Sequence, residues 1–185
     1  MQAVILCGGR SLRMGEDKCK LLVGSSTLLE FQAQKLSQIF DKVFISAKEQ
    51  KLKGYELIKD DEKYQFYSPM LALYSILKHF DNEFVFVLSV DSPKVSVKEI
   101  QKLLHFKDKE SKIIIAKTQL HIHFLCGLYH SSLALLCQKC LENDEHKLQN
   151  LCTKTTTRYV EFDDESPFLN LNFYTQYQHF LRIKC

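Results

Sequence analysis

The stretch AVILCGGRSLRMGEDKCKLL, residues 3–22, decides the class of fold that this chain can adopt. It opens with an apolar run that predicts a buried strand, and the run stops at Gly8 and Gly9. Glycines let backbone N–H groups approach an anion closely, and Arg13 and Lys18 can supply positive charge to phosphate oxygens. The stretch therefore predicts either a loop that holds phosphates after the first strand or an ordinary turn.

Beyond this stretch, strand-like and helix-like segments alternate along the chain. Apolar runs predict strands over 42–46, 55–59, 84–90, 112–116, 124–129 and 158–162. Helical periodicity predicts helices over 27–40, 69–80, 96–106, 131–141, 144–151 and 173–183. This alternation predicts an α/β fold, a doubly wound, mostly parallel sheet with helices on both faces, in one domain over 1–185. The run 124–129 breaks the alternation and could be an antiparallel strand at one edge.

Composition excludes several classes of function. The net charge is +3, from 25 basic and 22 acidic residues, without the dense basic block of a nucleic-acid-binding protein. The sequence contains no long uncharged apolar run, so no membrane span is predicted, and the first residues lack the pattern of a secretory signal. The seven cysteines then indicate reduced thiols and a cytoplasmic protein.

Two pairs of metal-ligating residue types occur. For the cysteines we favour packing over metal binding, and for the histidines we favour packing or surface positions. Cys137 and Cys140 form a CxxC motif without a second CxxC, and they fall among leucines on one predicted helix face. His121 and His123 alternate as strand residues would, and a third ligand is missing from the pattern. A zinc site is therefore not expected.

The string after the first strand is neither GxxxxGK[ST] nor GxGxxG. As a whole it closely resembles the signature of the molybdenum cofactor guanylyltransferases, which reads Leu-Ala-Gly-Gly, Ser, Arg-Met-Gly, Asp-Lys and paired leucines. The matching residues are Leu6, Gly8, Gly9, Ser11, Arg13, Met14, Gly15, Asp17, Lys18, Leu21 and Leu22. Cys7 stands where the family has alanine. The resemblance implies a Rossmann-like nucleotidyltransferase in which residues 6–9 contact GTP and Lys18 binds phosphate.

Later segments resemble the family in the same order along the chain. Ser46 follows the second strand, where the family often carries an asparagine that contacts guanosine. Asp60 matches the family aspartate at the guanosine, and Asp61 is the neighbouring alternative. In YSPMLAL, residues 67–73, the family's Gly-Pro-Leu-Ala-Gly appears with Ser68 and Leu73 in place of glycines, which puts close backbone approach to a ligand in doubt.

The last matching segments concern the metal and the second substrate. Asp91 matches the family's Mg²⁺ ligand, and its place just past the most apolar strand suits a hard cation better than a simple turn. The segment 123–129 resembles a His-Pro-Leu element on the cofactor side. Asn170 and Asn172 match an Asn-x-Asn element, which implies contacts to molybdopterin, although Phe173 and Tyr174 replace its Thr-Pro.

The resemblance implies GMP transfer from GTP to the terminal phosphate of molybdopterin, with release of pyrophosphate. Arg13, Lys18 and Asp91 would be the catalytic residues, with Mg²⁺ as the cofactor and molybdoenzymes or their chaperones as recipients of the product. Two alternatives stay open. One is another nucleotidyl transfer, of CMP to molybdopterin or to a sugar phosphate, and the other is a GTP-binding partner protein without catalysis.

Overall fold

The computed structural model describes residues 1–8 and 17–184, in which six α-helices surround a seven-stranded sheet. The elements are β1 (Gln2–Leu6), β2 (Leu22–Val23), β3 (Ser26–Thr27), α1 (Leu28–Ser37), β4 (Lys42–Ser46), β5 (Glu56–Ile58), α2 (Pro69–Lys78), β6 (Phe84–Ser89), α3 (Val97–His105), β7 (Ile113–Lys117), β8 (Ile122–His130), α4 (Ala134–Glu142), α5 (Leu148–Thr153), β9 (Thr157–Glu161) and α6 (Tyr174–Lys184). The β2–β3 hairpin was not predicted from the sequence, because two-residue strands are too short to show a hydrophobic period.

The sheet has the strand order β5-β4-β1-β6-β8-β7-β9. Strands β5, β4, β1 and β6 are parallel neighbours, β7 is parallel to β9, and β8 runs antiparallel to β6 and β7. The doubly wound, mostly parallel sheet is thus confirmed, but the predicted edge position of the antiparallel strand is wrong. Residues 126–129 of β8 are buried, and a stretch that is apolar on both faces needs the neighbouring strands that an interior position provides.

Helices cover both faces of the sheet, as the alternation predicted. Ala3 and Ile5 of β1 pack in one core cluster with buried residues of α1, α3 and α6. Val4 and Leu6 point to the other face and pack with α2, α4 and α5. Successive strand side chains point to opposite faces, so one apolar strand serves both cores.

Local sequence signals place the starts of three helices. Thr27 with Glu30 and Ser96 with Glu99 form capping boxes at α1 and α3, and Ser68 caps α2 in front of Pro69. Ser68, which replaces a family glycine, therefore has a structural task of its own. No helix in the described ranges is long and apolar enough to cross a bilayer.

The CxxC motif lies inside the protein core. Cys137 and Cys140 are buried on α4 and pack in the cluster beneath α2 and α5, which confirms that they serve packing. Burial raises the pKa of the Cys137 thiol, because the charged thiolate would lose its hydration.

A bulge interrupts the pairing of β7 with β8. Ala116 pairs with His123, but the preceding β7 residue, Ile115, pairs with Gly127, so residues 124–126 have no registered partner on β7. The Phe124 carbonyl that is freed from the ladder accepts a hydrogen bond of 2.5 Å from the buried Tyr129 hydroxyl. Bulges re-aim side chains, and this one turns the first residues of β8 toward a cavity described below.

Gly127 allows this close pairing, because a methyl group at this position would lie 2.4 Å from the Ile114 carbonyl oxygen. We expect Gly127→Ala to lower the free energy of unfolding by about 1–3 kcal/mol through overpacking. Urea denaturation measures this difference. Gly8→Ala is the matched control, because a methyl there would meet no described atom within 4 Å. Equal unfolding midpoints for the two variants would contradict the prediction.

Candidate active site

Strands β5, β4, β1 and β6 end at one edge of the sheet, and the polar residues predicted for the site gather there. Two backbone hydrogen bonds continue the pairing past the strand ends: Cys7 N donates to the Ser46 carbonyl at 2.8 Å, and Val90 N donates to the Leu6 carbonyl at 3.0 Å. Ligands bind outside the carboxyl ends of strands in open α/β sheets. The strand-end positions are therefore held rigidly at the place where a ligand is expected.

Lys18 and Asp91 meet at this edge, although 73 residues separate them in the sequence. Lys18 Nζ lies 3.1 Å from Asp91 Oδ2 and donates a second hydrogen bond, also of 3.1 Å, to Asn172 Oδ1. The side chains of Lys18 and Asp91 are only 16% and 18% exposed. Three of the residues predicted for the site thus form one partly buried cluster.

A short turn aims Lys18 into the cluster. The 3₁₀ turn Lys18–Lys20 begins at Asp17, whose Oδ1 accepts from Cys19 N at 3.1 Å, and Cys19 is buried in the core. Lys51 Nζ lies 2.5 Å from Asp17 Oδ2. Burial raises the pKa of Asp17, but the hydrogen bond from Lys51 and that from the Cys19 amide outweigh it, and the net pKa is lowered. Asp17 therefore stays charged and fixes the turn.

Asp91 is held from two sides. Ser89 Oγ donates to Asp91 Oδ1 at 2.6 Å, and Leu171 N donates to the Asp91 backbone carbonyl at 2.8 Å. Next to it, Ser92 Oγ donates to Asn170 Oδ1 at 2.7 Å. The chain segment that carries both predicted asparagines is thereby fastened to the loop after β6.

The donor atoms near Asp91 fit a hard divalent cation. The Asp91 carboxylate accepts hydrogen bonds from the Ser89 hydroxyl and from the Lys18 ammonium group, and the amide oxygen of Asn172 accepts from the same ammonium group. The described residues contain no group of three His, Cys, Asp or Glu side chains that could enclose a metal. Mg²⁺ typically takes one or two carboxylates from a protein and completes its shell with phosphate oxygens and water. The site could thus hold such a cation together with a bound phosphate.

The two adjacent aspartates after β5 have different environments. Asp61 is engaged by the fold: Lys78 Nζ lies 2.8 Å from its Oδ2, and its backbone N–H donates to Ser75 Oγ at 2.8 Å. Asp60 is half-buried and makes no side-chain hydrogen bond to a described residue. Burial raises the pKa of Asp60, and the charge of Lys48 partly opposes this effect. Asp60 is therefore the aspartate that is left for a ligand.

Gly8 leaves open space above the end of β1. A Cβ atom at this position would meet no described atom within 4 Å, so a ligand can come close to this backbone. Cys7 lies beside it, and its pKa is raised by a hydrogen bond with Cys19 and by burial. Gly9, Arg13 and the other motif residues between 9 and 16 lie outside the described residues.

A cavity of about 600 Å³ opens beside the cluster. Asn170, Asn172 and Ser92 contribute polar groups to its wall, whereas residues such as Phe168 and Leu148 make another part apolar. Its size and mixed lining are typical of sites for small organic ligands. The two predicted asparagines therefore face the same cavity, and Asn172 also contacts Lys18.

A second polar cluster on the cavity wall, centred on Glu165, was not predicted from the sequence. Glu165, which lies just before the 3₁₀ turn Ser166–Phe168, contacts Thr118, His121 and His123. His123 lies in β8, but His121 precedes the strand and its side chain is 66% exposed. The two histidines do not only pack or face solvent, because both approach one carboxylate. Nothing local in the sequence linked Glu165 to a pair 44 and 42 residues away.

The chain is similar in sequence to known nucleotidyltransferases. Residues 3–158 match the family of the MobA-like NTP transferase domain. A molybdenum cofactor guanylyltransferase from Campylobacter jejuni is 56% identical over 181 residues, which cover 97% of this chain and 95% of that protein. One from Helicobacter pylori is 28% identical over 184 residues, covering 95% and 89%.

Among solved structures, molybdopterin-guanine dinucleotide biosynthesis protein A from Archaeoglobus fulgidus has a similar fold. The TM-score is 0.82 at 20% identity, and the match covers 99% of this chain and 98% of that one. The fold, the matched domain and the high identity lead to one conclusion: this chain is a nucleotidyltransferase that belongs to the molybdenum cofactor guanylyltransferase family.

Proposed function

We propose that the protein transfers GMP from GTP to the terminal phosphate of molybdopterin, giving the guanine dinucleotide cofactor and pyrophosphate. The proposal agrees with the name of the Campylobacter jejuni relative, molybdenum cofactor guanylyltransferase. The observation that carries the proposal is the contact of Lys18 with both Asp91 and Asn172, between the strand ends and the cavity. This arrangement offers one place for a triphosphate and an adjoining place for the second substrate.

The reaction needs alignment of two anions more than it needs a base. A phosphate monoester is already largely ionised near neutral pH, so an oxygen of the pterin phosphate can attack the α-phosphorus of GTP directly. The new P–O bond forms as the bond to pyrophosphate breaks. Protein groups must therefore neutralise and orient phosphates, which is the kind of catalysis that fixed charges provide.

Lys18 and Asp91 are suited to this task because each holds the other in place. Before substrates bind, the ion pair keeps both side chains at the strand ends. With GTP bound, Lys18 Nζ would donate to phosphate oxygens, and Asp91 would hold Mg²⁺. Mg²⁺, when bound, supplies Lewis-acid stabilisation of the charge on the phosphates. Asn172 would keep the ammonium group of Lys18 oriented during this exchange.

The other predicted residues complete the nucleotide site in this proposal. The ends of β1 and β4, at Leu6, Cys7 and Ser46, form its floor, and the Gly8 and Gly9 amides and Arg13 contact the phosphates. Asp60 accepts hydrogen bonds from the N–H groups of guanine, which offsets the cost of its burial. A single nucleotidyltransferase domain, 1–185, carries the whole reaction, and the free cysteines of the described residues suit the reducing cytoplasm.

The reaction is tested by measuring pyrophosphate release with GTP, Mg²⁺ and molybdopterin, each omitted in turn. We expect release only when all three are present, and faster release with GTP than with CTP or ATP. A preference for CTP would support cytidylyl transfer. Binding of GTP without any pyrophosphate release would instead identify a non-catalytic binding protein.

Removing either charge of the central pair should nearly abolish turnover. We expect Lys18→Ala and Asp91→Asn each to lower the turnover number about 10²–10³-fold, the usual loss for one preorganised electrostatic contact. Steady-state pyrophosphate release measures the effect, and circular dichroism checks the fold. The matched control is Lys20→Ala, because Lys20 is exposed on the same turn. Turnover of Lys18→Ala equal to that of the control would overturn the assignment.

The two aspartates after β5 should separate binding from stability. We expect Asp60→Asn to raise the KM for GTP about tenfold and to weaken discrimination against ATP, because guanine loses a charged acceptor. Asp61→Asn should leave the KM for GTP close to that of the wild type. It should lower the free energy of unfolding by about 1 kcal/mol through its weakened contact with Lys78. The reverse pattern would assign guanine recognition to Asp61.

A methyl group on Gly8 should obstruct the ligand rather than the fold. We expect Gly8→Ala to unfold at the urea concentration of the wild type but to raise the KM for GTP at least tenfold. Kinetics and urea denaturation on the same preparation give both quantities. An unchanged KM would mean that no phosphate comes close to this backbone.

A further inference from the structure

The Glu165 cluster on the cavity wall has an ordered pattern of hydrogen bonds. Thr118 Oγ1 contacts Glu165 Oε2, and His121 Nδ1 lies 2.9 Å from Glu165 Oε1. His123 Nε2 lies 3.5 Å from the same Oε1 and 3.4 Å from Thr118 Oγ1. Thr118 is buried, and the side chains of His123 and Glu165 are only 15% and 19% exposed. The cluster is therefore an ordered, largely buried part of the cavity wall.

The hydrogen-bond donors and acceptors of the cluster determine which nitrogen of His123 is protonated. Thr118 has one hydroxyl proton, and the Glu165 carboxylate is the strongest acceptor within its reach. The hydroxyl oxygen can then only accept from His123 Nε2, as it also does from His121 N at 3.1 Å. A carboxylate likewise only accepts. Nε2 of His123 must carry a proton, and Nδ1 is left as an acceptor when the ring is neutral.

The His123 ring is also held in one plane. It stacks on Phe168 with a centroid distance of 4.6 Å and an interplanar angle of 23°, and Phe168 packs edge-on against Phe162 at 4.8 Å. Both His123 and Phe168 line the cavity. With Nε2 turned to Thr118 and Glu165, Nδ1 is the ring nitrogen that remains for a ligand. It makes no hydrogen bond within the described ranges.

The charges around His123 favour the neutral ring. Burial lowers the pKa of His123, the negative charge of Glu165 partly raises it, and His121 lowers it further. Burial raises the pKa of Glu165, but hydrogen bonds from Thr118 and His121 outweigh this, so the net pKa of Glu165 is lowered. Lys147, from the start of α5, is a further charged residue on the cavity wall. Near neutral pH, an ionised Glu165 thus faces a neutral His123.

We propose that Glu165 is a positioning residue that, together with Thr118, holds His123 so that its Nδ1 accepts a hydrogen bond from an N–H group of the pterin ring. This inference rests on the proposed function, which places molybdopterin in the cavity. A neutral acceptor beside the apolar side chains of Phe168 and Leu148 suits a flat heterocycle with N–H donors. It does not suit a phosphate, which offers acceptors, so the phosphate of the substrate belongs at the Lys18 end.

The state of the His123 ring can be measured directly. In ¹⁵N NMR spectra of the imidazole side chains, we expect wild-type His123 to be neutral at pH 7, with the proton on Nε2. The preference for a proton on Nε2 should be lost in Glu165→Ala and in Thr118→Val. Valine keeps the shape of the threonine side chain and removes only its hydroxyl group. Glu161→Ala is the matched control, because that exposed carboxylate pairs with Lys117 and not with His123. A protonated Nδ1 in the wild type, or an unchanged ring in Glu165→Ala, would overturn the positioning role.

Kinetics test whether the ring serves the pterin. We expect Glu165→Ala and Thr118→Val to raise the KM for molybdopterin about tenfold, with the turnover number and the KM for GTP nearly unchanged. Glu161→Ala should behave like the wild type. Equal losses for both substrates would indicate a merely structural role and contradict the inference. If the wild type itself releases no pyrophosphate, the proposed function is wrong. The inference that a pterin N–H group donates to His123 Nδ1 is then wrong as well.

Discussion

The ion pair of Lys18 with Asp91 is the interaction on which the site depends, because it joins the loop after β1 to the loop after β6. The parallel pairing of β1 with β6 brings the two strand ends together, and the Lys18–Lys20 turn and Ser89 then aim the side chains. Each charge is held by the other, and in the proposed function this lasts until phosphates and a cation bind, so neither is buried without a partner. Asn172 extends the pair toward the cavity, and in the proposed function it links the place of the nucleotide to that of the second substrate.

Much of the fold could be predicted from local patterns, since long apolar runs and helix caps specify elements without distant information. The strand β6 lies within the predicted strand 84–90, and α1 and α3 lie within the predicted helices 27–40 and 96–106. The position of β8 was predicted wrongly because strand order depends on long-range pairing, which leaves no mark on the strand's own composition. The same holds for the bulge beside Gly127, whose crowding against Ile114 is visible only when both strands are in place.

The site could be predicted in part, for a comparable reason. Lys18, Asp60 and Asp91 were predicted from their places after strands and from the family resemblance. Lys18 and Asp91 contact each other in the structure. Their supporting residues were missed, because Lys51 reaches Asp17 across 34 residues and Glu165 reaches His121 across 44, and no spacing rule connects such pairs. The neighbours Asp60 and Asp61 look equivalent in one dimension, and only the contacts of Asp61 with Lys78 and Ser75 separate their roles.

We expect Asp91 to hold a divalent cation only together with the triphosphate that Lys18 is proposed to bind. Titration of Mn²⁺, followed by electron paramagnetic resonance with and without GTP, tests this claim most directly. We expect weak binding of Mn²⁺ to the protein alone, because no group of three His, Cys, Asp or Glu side chains among the described residues could enclose the ion, and tight binding once GTP is present. Asp91→Asn should abolish the tight binding. If Asp91→Asn bound Mn²⁺ and GTP as tightly as the wild type, Asp91 would not be the residue that holds the cation.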